Sequence, residues 1–372
     1  MNTLTHADWY TIAEIETVDS PALVVYRDRV KKNILSLKSS VKKIGNLRPH
    51  VKTNKMAEVC RMMMEEGITK FKCATIAEAE MLGSIGAPDV LVAYQIVGPK
   101  IERMLQLAEE FPGTQFSSVI DSITGAQWLS DSFSSHRRTI DVYIDLNVGM
   151  NRTGIVPEKA FSLFEQISVL PGIRVAGIHA YDGHINDTDP VLRKRRVDEA
   201  FTEIFSLREK IETSLQRSIT VVAGGSPTFP VHAAREDVEC SPGTFVFWDW
   251  SYQGTFPDQP FECAALVVTR IISIVDSTTF CTDLGHKSVA AEKPLPRVHF
   301  LNAPEAEPLS QSEEHLVVRV SDTAGYTIGD VLYGVPVHIC PTVALYERAH
   351  VVERNHRIAE WEVTARNKKI HL

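Results

Sequence analysis

The chain has 372 residues, of which 44% are hydrophobic and 23% charged, a composition typical of a globular protein with more than one small core. A formal net charge of −8, with the basic residues scattered along the chain, argues against nucleic acid as a partner. Apolar runs such as Ala265 to Val268 are far shorter than the ~20 residues that span a bilayer. Met1 to Tyr10 lack the basic start and apolar stretch of a secretory signal. We therefore expect a cytoplasmic protein that binds neither nucleic acid nor membrane.

From Pro21 to about Val222 the chain repeats one pattern, in which a β-rich run is followed by a polar turn and a segment of helical spacing. Arg29 to Ile44, for example, has apolar residues at three- and four-residue steps. Eight such repeats predict a closed (β/α)8 barrel of the TIM type in preference to a doubly wound open sheet. The eight predicted strands are Ala22 to Val25, Arg48 to Lys52, Lys70 to Ala74, Val90 to Tyr94, Gln115 to Ile120, Ile140 to Leu146, Arg174 to Ala180 and Ile219 to Ala223.

The pattern changes after about Glu239. Aromatic residues crowd between Phe245 and Tyr252, and alternating β-branched runs follow, with little helical spacing. The sequence therefore predicts a barrel domain over residues 20–239 and a second, mostly β domain over residues 240–372.

A barrel of this type carries its active site at the C-terminal ends of its strands. Lys52 ends the second predicted strand. Desolvation and neighbouring cations at the barrel mouth would lower its pKa and make it a nucleophile. The alternative is a solvated lysine at a strand end.

Two further loops carry candidate binding residues. Arg152 lies in the glycine-containing loop after the sixth predicted strand, where its guanidinium could bind an anionic or ring-edge acceptor, or simply pair with a carboxylate. His179 and Tyr181 share one face of the seventh strand by alternation. That face is the barrel interior or its rim, where the pair serves either binding or packing.

Glycines and hydroxyls follow the eighth predicted strand. Gly224, Gly225 and Ser226 come first, and Gly243 and Thr244 come after them. Glycines let the backbone approach an anion closely and hydroxyls add donors. Barrels often bind phosphate at this position, so we predict a phosphate site.

His338 and Cys340 are two residues apart in a run predicted to be extended, which would place both side chains on one side. Such a pair can form half of a Zn²⁺ site, with water or substrate completing the shell. The alternative is a buried cysteine beside a strand histidine. The six cysteines include no CxxC pair, which is typical of thiols in a reducing compartment.

Taken in chain order, these segments resemble the fold-type III pyridoxal-phosphate enzymes of the D-threonine aldolase and D-serine dehydratase family, whose barrel is like that of alanine racemase. The resemblance is carried by Pro21 to Tyr26, Arg48 to Thr53, Asn147 to Gly154, Ala223 to Thr228, Ser241 to Phe247 and His338 to Thr342. It implies that Lys52 binds pyridoxal 5'-phosphate covalently and that a divalent metal, Zn, Mn or Mg, binds to His338 and Cys340. The remaining implied cofactor residues are Gly224, Gly225, Ser226, Gly243 and Thr244 at the phosphate, and Arg152, His179 and Tyr181 beside the pyridine ring.

The resemblance also implies that residues 1–19 join the β-domain and that the chain forms a homodimer with shared active sites. The implied activity is a metal-assisted lyase reaction on D-β-hydroxy-α-amino acids. We favour retro-aldol cleavage to glycine and an aldehyde. A dehydratase that forms a 2-oxo acid and ammonia is the alternative, because the His-x-Cys pair resembles the dehydratases whereas the aldolases often have aspartate as the second ligand. An amino-acid racemase or a non-catalytic cofactor carrier is less favoured, and carriers lack the C-terminal domain.

Overall fold

The computed structural model describes residues 8–372, and its contacts divide the chain into two compact units. The barrel unit comprises Leu37–Lys52, Cys60–Gly243 and Asn367–Leu372. The β unit comprises the chain up to Ser36, Thr53–Val59 and Thr244–Arg366. No helix among the described residues is both long and apolar enough to cross a membrane. Most of the segment inspected for a secretory signal, residues 1–7, lies outside the described residues.

The strands are β1 Ala22–Tyr26, β2 Lys70–Cys73, β3 Asp89–Gln95, β4 Gln115–Ile120, β5 Ile140–Leu146, β6 Ile173–Ala180, β7 Thr220–Ala223, β8 Val238–Cys240, β9 Ala265–Asp276, β10 Thr279–Thr282, β11 Val298–Phe300, β12 Glu307–Gln311, β13 Leu316–Arg319, β14 Val331–Pro336, β15 Arg348–Glu353 and β16 His356–Glu362. The α-helices are α1 Arg27–Ser39, α2 Ala57–Glu65, α3 Ile76–Ser84, α4 Pro99–Glu110, α5 Ile123–Ser135, α6 Pro157–Ile167, α7 Pro190–Leu215, α8 Phe229–Ala233, α9 Trp250–Thr255 and α10 Ile339–Val343. Short 3₁₀ turns occur at Ile15–Thr17, Ile44–Asn46, Thr244–Val246 and Thr364–Arg366.

The barrel unit is built on a sheet of seven strands in the order β2 to β8, each pair of neighbours parallel. A short segment before β2 joins its two edges, because Leu47 bridges Cys240 in β8 and His50 bridges Lys72 in β2. The Arg48 amide donates to the Cys240 carbonyl at 2.9 Å, and the Lys72 amide to the Pro49 carbonyl at 2.9 Å. The predicted alternating barrel with a mostly β second domain is therefore confirmed.

Three details of the predicted barrel strands are wrong. Ala22 to Val25 were counted as the first barrel strand, but β1 pairs with β9 and β15 in the other sheet. Its five residues are all buried, and periodicity cannot distinguish a buried central strand of a mixed sheet from a barrel strand. The missing barrel strand is β8, whose three residues are too few for a period to be seen. Arg48 to Lys52 form bridges and a turn instead of a continuous strand.

Local signals explain where several barrel helices begin. Pro99 and Pro157 start α4 and α6, where the missing proline N–H has no helical partner to lose. Thr75 caps α3 by accepting from the amide of Glu78. These signals begin each helix a few residues after the preceding strand ends, at the edge of the sheet that carries the candidate residues.

The β unit contains a nine-stranded sheet. Seven of its strands follow the order β12-β13-β10-β9-β1-β15-β16, and the other two are β14, which pairs with β9, and β11, which pairs with β14. Its core is aliphatic and aromatic, and includes Ile271, Phe280, Val298 and Leu332. The N-terminal part of the chain contributes β1 at the centre of this sheet.

Candidate active site

Two lysines and an arginine lie around the ring of Tyr181 in the barrel unit. The Nζ atoms of Lys52 and Lys72 lie 5.7 and 5.6 Å from the ring centroid, and Cζ of Arg152 lies 5.1 Å from it. Tyr181 directly follows β6, and Arg152 lies in the loop after β5. Because parallel strands end at one edge of the sheet, the fold brings the predicted residues Lys52, Arg152 and Tyr181 together. Such a cluster suits a planar anionic ligand.

His179 is held by a carboxylate on the neighbouring strand. It is paired with Asp145 in the register of β5 and β6, and its Nδ1 lies 2.7 Å from Oδ1 of Asp145. Burial opposes ionisation of Asp145, but hydrogen bonds from His179 and Gln95 outweigh it and lower its pKa. Burial and the charge of Lys72 lower the pKa of His179. A neutral ring that donates from Nδ1 keeps Nε2 as an acceptor, and Nε2 faces Nζ of Lys72 at 3.4 Å.

The glycine-rich loop after β7 borders the same aromatic ring. Gly224 has φ of +79°, a conformation that favours glycine. A Cβ on Gly225 would come within 3.0 Å of the Tyr181 ring, so only glycine leaves this approach open. The Gly243 amide donates to Oγ of Ser226 at 3.4 Å. The loops after β7 and β8 therefore meet.

These two loops fit a phosphate group by the chemistry of their donors. The hydroxyl of Ser241 is buried and has no hydrogen-bond partner among the described residues. Buried hydroxyls without a partner are costly, and an anion at this point would accept from Ser241 and from the glycine-rich backbone. Thr244, also predicted here, lies in the β unit.

A buried carboxylate that sequence reasoning missed supports the glycine-rich loop. Asp182 is fully buried, and it accepts from the hydroxyl of Thr228 at 2.7 Å and from Nε2 of His232 at 2.8 Å. Thr228 in turn accepts from the Gly225 amide at 3.4 Å. Arg235 contacts Nδ1 of His232, which assigns the ring proton to Nε2. The loop conformation therefore depends on Asp182 as an acceptor on both oxygens.

We expect Asp182→Asn to destabilise the protein by about 2–3 kcal/mol, because the amide places a donor against a buried donor. Urea denaturation of the cofactor-free protein measures this change. Asp237→Asn is the matched control, since that carboxylate pairs with Arg208 while 54% exposed, and its loss should cost less than about 1 kcal/mol. Equal stability of the two variants would contradict a supporting role for Asp182.

His338 and Cys340 meet in the β unit, although the segment is not extended as predicted. The strand β14 ends at Pro336 and the short helix α10 begins at Ile339, yet the side chains of His338 and Cys340 are close enough to shift each other's pKa. Glu292 contacts Nδ1 of His338, which leaves Nε2 as the ring nitrogen that could bind a metal. The hydroxyls of Thr53 and Thr244 lie 3.1 and 3.6 Å from Sγ of Cys340.

The electrostatics of this pair favour a thiolate. Burial opposes the charged forms, but the interaction of the two side chains raises the pKa of His338 to about 9 and lowers the pKa of Cys340. Thiolate and imidazole are the donors that zinc and related metals prefer. The described residues contain no group of three or more such ligands, so the donor set fits a metal whose remaining positions are left to water or substrate.

The predicted residues thus form two clusters, one in each unit. Sequence reasoning missed Asp145, Asp182 and His232, and it also missed Lys72. For Lys72 a signal exists, since it is the one charged residue between Phe71 and Cys73 in a buried strand. For His232 we find none.

The family model for the alanine racemase N-terminal domain matches residues 25–249. A second model, described as a putative serine dehydratase domain, matches residues 264–352.

Individual relatives match both units. A D-threonine aldolase of Arthrobacter sp is 27% identical over 364 residues, which covers 94% of this chain and 93% of that protein. A D-threo-3-hydroxyaspartate dehydratase of Delftia sp. (strain HT23) is 26% identical over 239 residues, which covers 63% of this chain and 62% of that protein. The crystal structure of D-threonine aldolase from Filomicrobium marinum matches with a TM-score of 0.87 and 27% identity, over 94% of this chain and 96% of that one.

Proposed function

The chain belongs to the alanine racemase N-terminal domain family and is an enzyme of the fold-type III pyridoxal-phosphate class, and from this premise we propose that it is a metal-assisted lyase acting on D-β-hydroxy-α-amino acids. We propose retro-aldol cleavage to glycine and an aldehyde as its reaction. Similarity to D-threonine aldolases over 94% of the chain supports this choice.

The observation that carries the proposal is the surroundings of Tyr181. The amine of Lys52 lies 5.7 Å from the ring centroid, and the loop of Gly225 approaches the same ring so closely that a Cβ would lie 3.0 Å away. A cofactor with an aldehyde and a phosphate on one aromatic ring needs an amine and a phosphate cradle that border one space. Lys52 would bind the aldehyde, and Gly224, Gly225, Ser226 and Gly243 would hold the phosphate.

When bound, pyridoxal phosphate withdraws the electron pair of the bond that breaks at Cα of the amino acid. Lys52 would give way to the amine of the substrate and then remain beside Cα, where its protonated form would return the proton that Cα needs once the Cα–Cβ bond has broken. Arg152, 5.1 Å from the Tyr181 centroid, supplies a cation for an anionic group of the ring or the substrate. His179 packs as a neutral imidazole held by Asp145 at 2.7 Å, so it adds no charge beside the ring.

His338 and Cys340 would hold a divalent metal, which lowers the pKa of a hydroxyl that it binds. In the proposed aldolase reaction, loss of the proton from the substrate β-hydroxyl accompanies cleavage of the Cα–Cβ bond. The imidazole–thiolate pair is therefore assigned to the β-hydroxyl, and Lys52 to the amine and Cα.

A dehydratase is the second candidate, and Cys340 favours it. The pair is His-x-Cys, and the region that contains it matches the putative serine dehydratase domain. In this reaction Lys52 takes the proton from Cα and the β-hydroxyl leaves, which forms a 2-oxo acid and ammonia.

Incubation of the purified protein with D-threonine, pyridoxal phosphate and Mn²⁺, Mg²⁺ or Zn²⁺ separates these candidates. We expect glycine and acetaldehyde, with L-threonine unreacted. Formation of 2-oxobutyrate and ammonia would identify a dehydratase, and epimerised threonine without cleavage a racemase. A protein that binds pyridoxal phosphate but converts no amino acid in a D- and L-β-hydroxy panel would be a carrier and would overturn the proposal.

A further inference from the structure

Lys72 is a second lysine at the cofactor site, and the sequence motifs assign it no role. It lies in β2 between Phe71 and Cys73, and only 2% of its surface is exposed. Its Nζ is 5.6 Å from the Tyr181 centroid, almost the same distance as Nζ of Lys52. Two amines therefore lie at similar distances from one aromatic ring in the barrel unit.

No carboxylate pairs with Lys72 among the residues that the structure describes. Among these residues the one polar contact of the Lys72 amine is with Nε2 of His179 at 3.4 Å. A neutral imidazole compensates a positive charge poorly. Burying an ammonium without a counter-ion costs several kcal/mol. The amine is therefore either neutral or protonated only when a ligand supplies an anion.

The charges around Lys72 favour the neutral amine in the free protein. Burial and the neighbouring charge of Lys52 lower the pKa of Lys72 to about 7. The carboxylates of Asp145 and Asp182 act in the other direction but are engaged by His179, Thr228 and His232. The titratable and charged groups that face Lys72 are Lys52, Arg48, Asp145, Asp182, His179 and Tyr181.

We propose that Lys72 is a cofactor-binding residue that takes up a proton when pyridoxal phosphate enters and so supplies a positive charge against the anionic cofactor. This inference rests on the proposed function. The proton comes from solvent, and no covalent bond to Lys72 forms or breaks. The physical cause is the negative charge of the cofactor, since an opposite charge at close range raises the pKa of an amine that burial had lowered.

The test follows protons and affinity rather than turnover. Cofactor-free, full-length protein is titrated calorimetrically with pyridoxal phosphate at about pH 8, where an amine of this kind is mostly neutral, in two amine-free buffers of different protonation enthalpy. The wild type should take up about one proton more per chain than Lys72→Met. Lys72→Met should also bind the cofactor about tenfold more weakly.

Two further variants separate charge from packing. Lys72→Arg keeps a permanent charge, so it should bind the cofactor with nearly wild-type affinity and without the additional proton. Lys70→Met is the matched control, because Lys70 lies two residues away in the same strand and pairs with Glu239. It should take up protons as the wild type does. Methionine has nearly the volume of lysine and brings no buried charge, and thermal unfolding verifies that each variant is folded.

The outcomes distinguish the two proposals. Equal proton uptake by the wild type and Lys72→Met would overturn the role of Lys72 and leave the proposed function intact. A wild-type protein that binds no pyridoxal phosphate would overturn both.

Discussion

Lys52→Ala should yield a folded protein that shows no visible absorption band with pyridoxal phosphate and turns over D-β-hydroxy-amino acids at least about 10³-fold more slowly. The reason is that Lys52 is the amine assigned to the aldehyde, and alanine has none. The cofactor can still be held by the glycine-rich loop, so its total loss from the protein is not expected. Absorption spectra and single-turnover kinetics measure the two effects.

Lys72 should not replace Lys52 in this variant. The charge of Lys52 is one of the causes that lower the pKa of Lys72, so its removal lets Lys72 become protonated more readily, and a protonated amine is no nucleophile. Lys70→Met serves again as the control and should keep the visible band. A band that persists in Lys52→Ala and disappears in the double variant with Lys72→Met would transfer the covalent role to Lys72.

Much of the barrel could be predicted because its strands and helices alternate along the chain. Six of the predicted runs, from Lys70 to Ala223, coincide closely with β2 to β7. The first and last strands could not be predicted, for opposite reasons. The apolar run of β1 looks like any buried strand, and its place beside β9 and β15 depends on residues more than two hundred positions away. The strand β8 is only three residues long and contains the charged Glu239, so neither its length nor its composition indicates a buried strand.

The positions of Arg152 and Tyr181 could be predicted from the strands that they follow, and that of His179 from its place near the end of β6. Their partners could not, because these partners depend on strand register. Asp145 matters because it stands beside His179 in the register of β5 and β6. The signal of Lys72, a charge between Phe71 and Cys73, becomes informative only once the strand around it is known to be buried.

The same distinction applies to the pair His338 and Cys340. Its spacing suggested two side chains on one side of a strand, yet the pair meets at the start of α10. A histidine preceding a helix and a cysteine in its first turn can approach each other as closely as neighbours on one strand face. The spacing therefore predicted the contact although the predicted backbone was wrong.

His338→Ala and Cys340→Ala should each lose the divalent metal and reduce turnover by about 10²-fold or more, because neither remaining ligand holds a metal alone. The visible band of pyridoxal phosphate should remain, since it depends on Lys52. Elemental analysis of the purified variants and their spectra measure both effects. Cys281→Ala is the control, because Cys281 is a half-buried free thiol in the same unit with no assigned role.

Cys340→Asp extends this prediction from presence to preference. A thiolate selects soft or borderline metals such as Zn²⁺, whereas a carboxylate suits Mn²⁺ and Mg²⁺. Burial raises the pKa of Cys340, but the interaction with His338 outweighs it and lowers this pKa, which favours the thiolate in the wild type. Cys340→Asp should therefore keep metal binding and shift the activating metal from Zn²⁺ towards Mn²⁺.

Unchanged metal content and turnover in His338→Ala and Cys340→Ala would contradict the metal site and leave the cofactor site of the barrel unaffected.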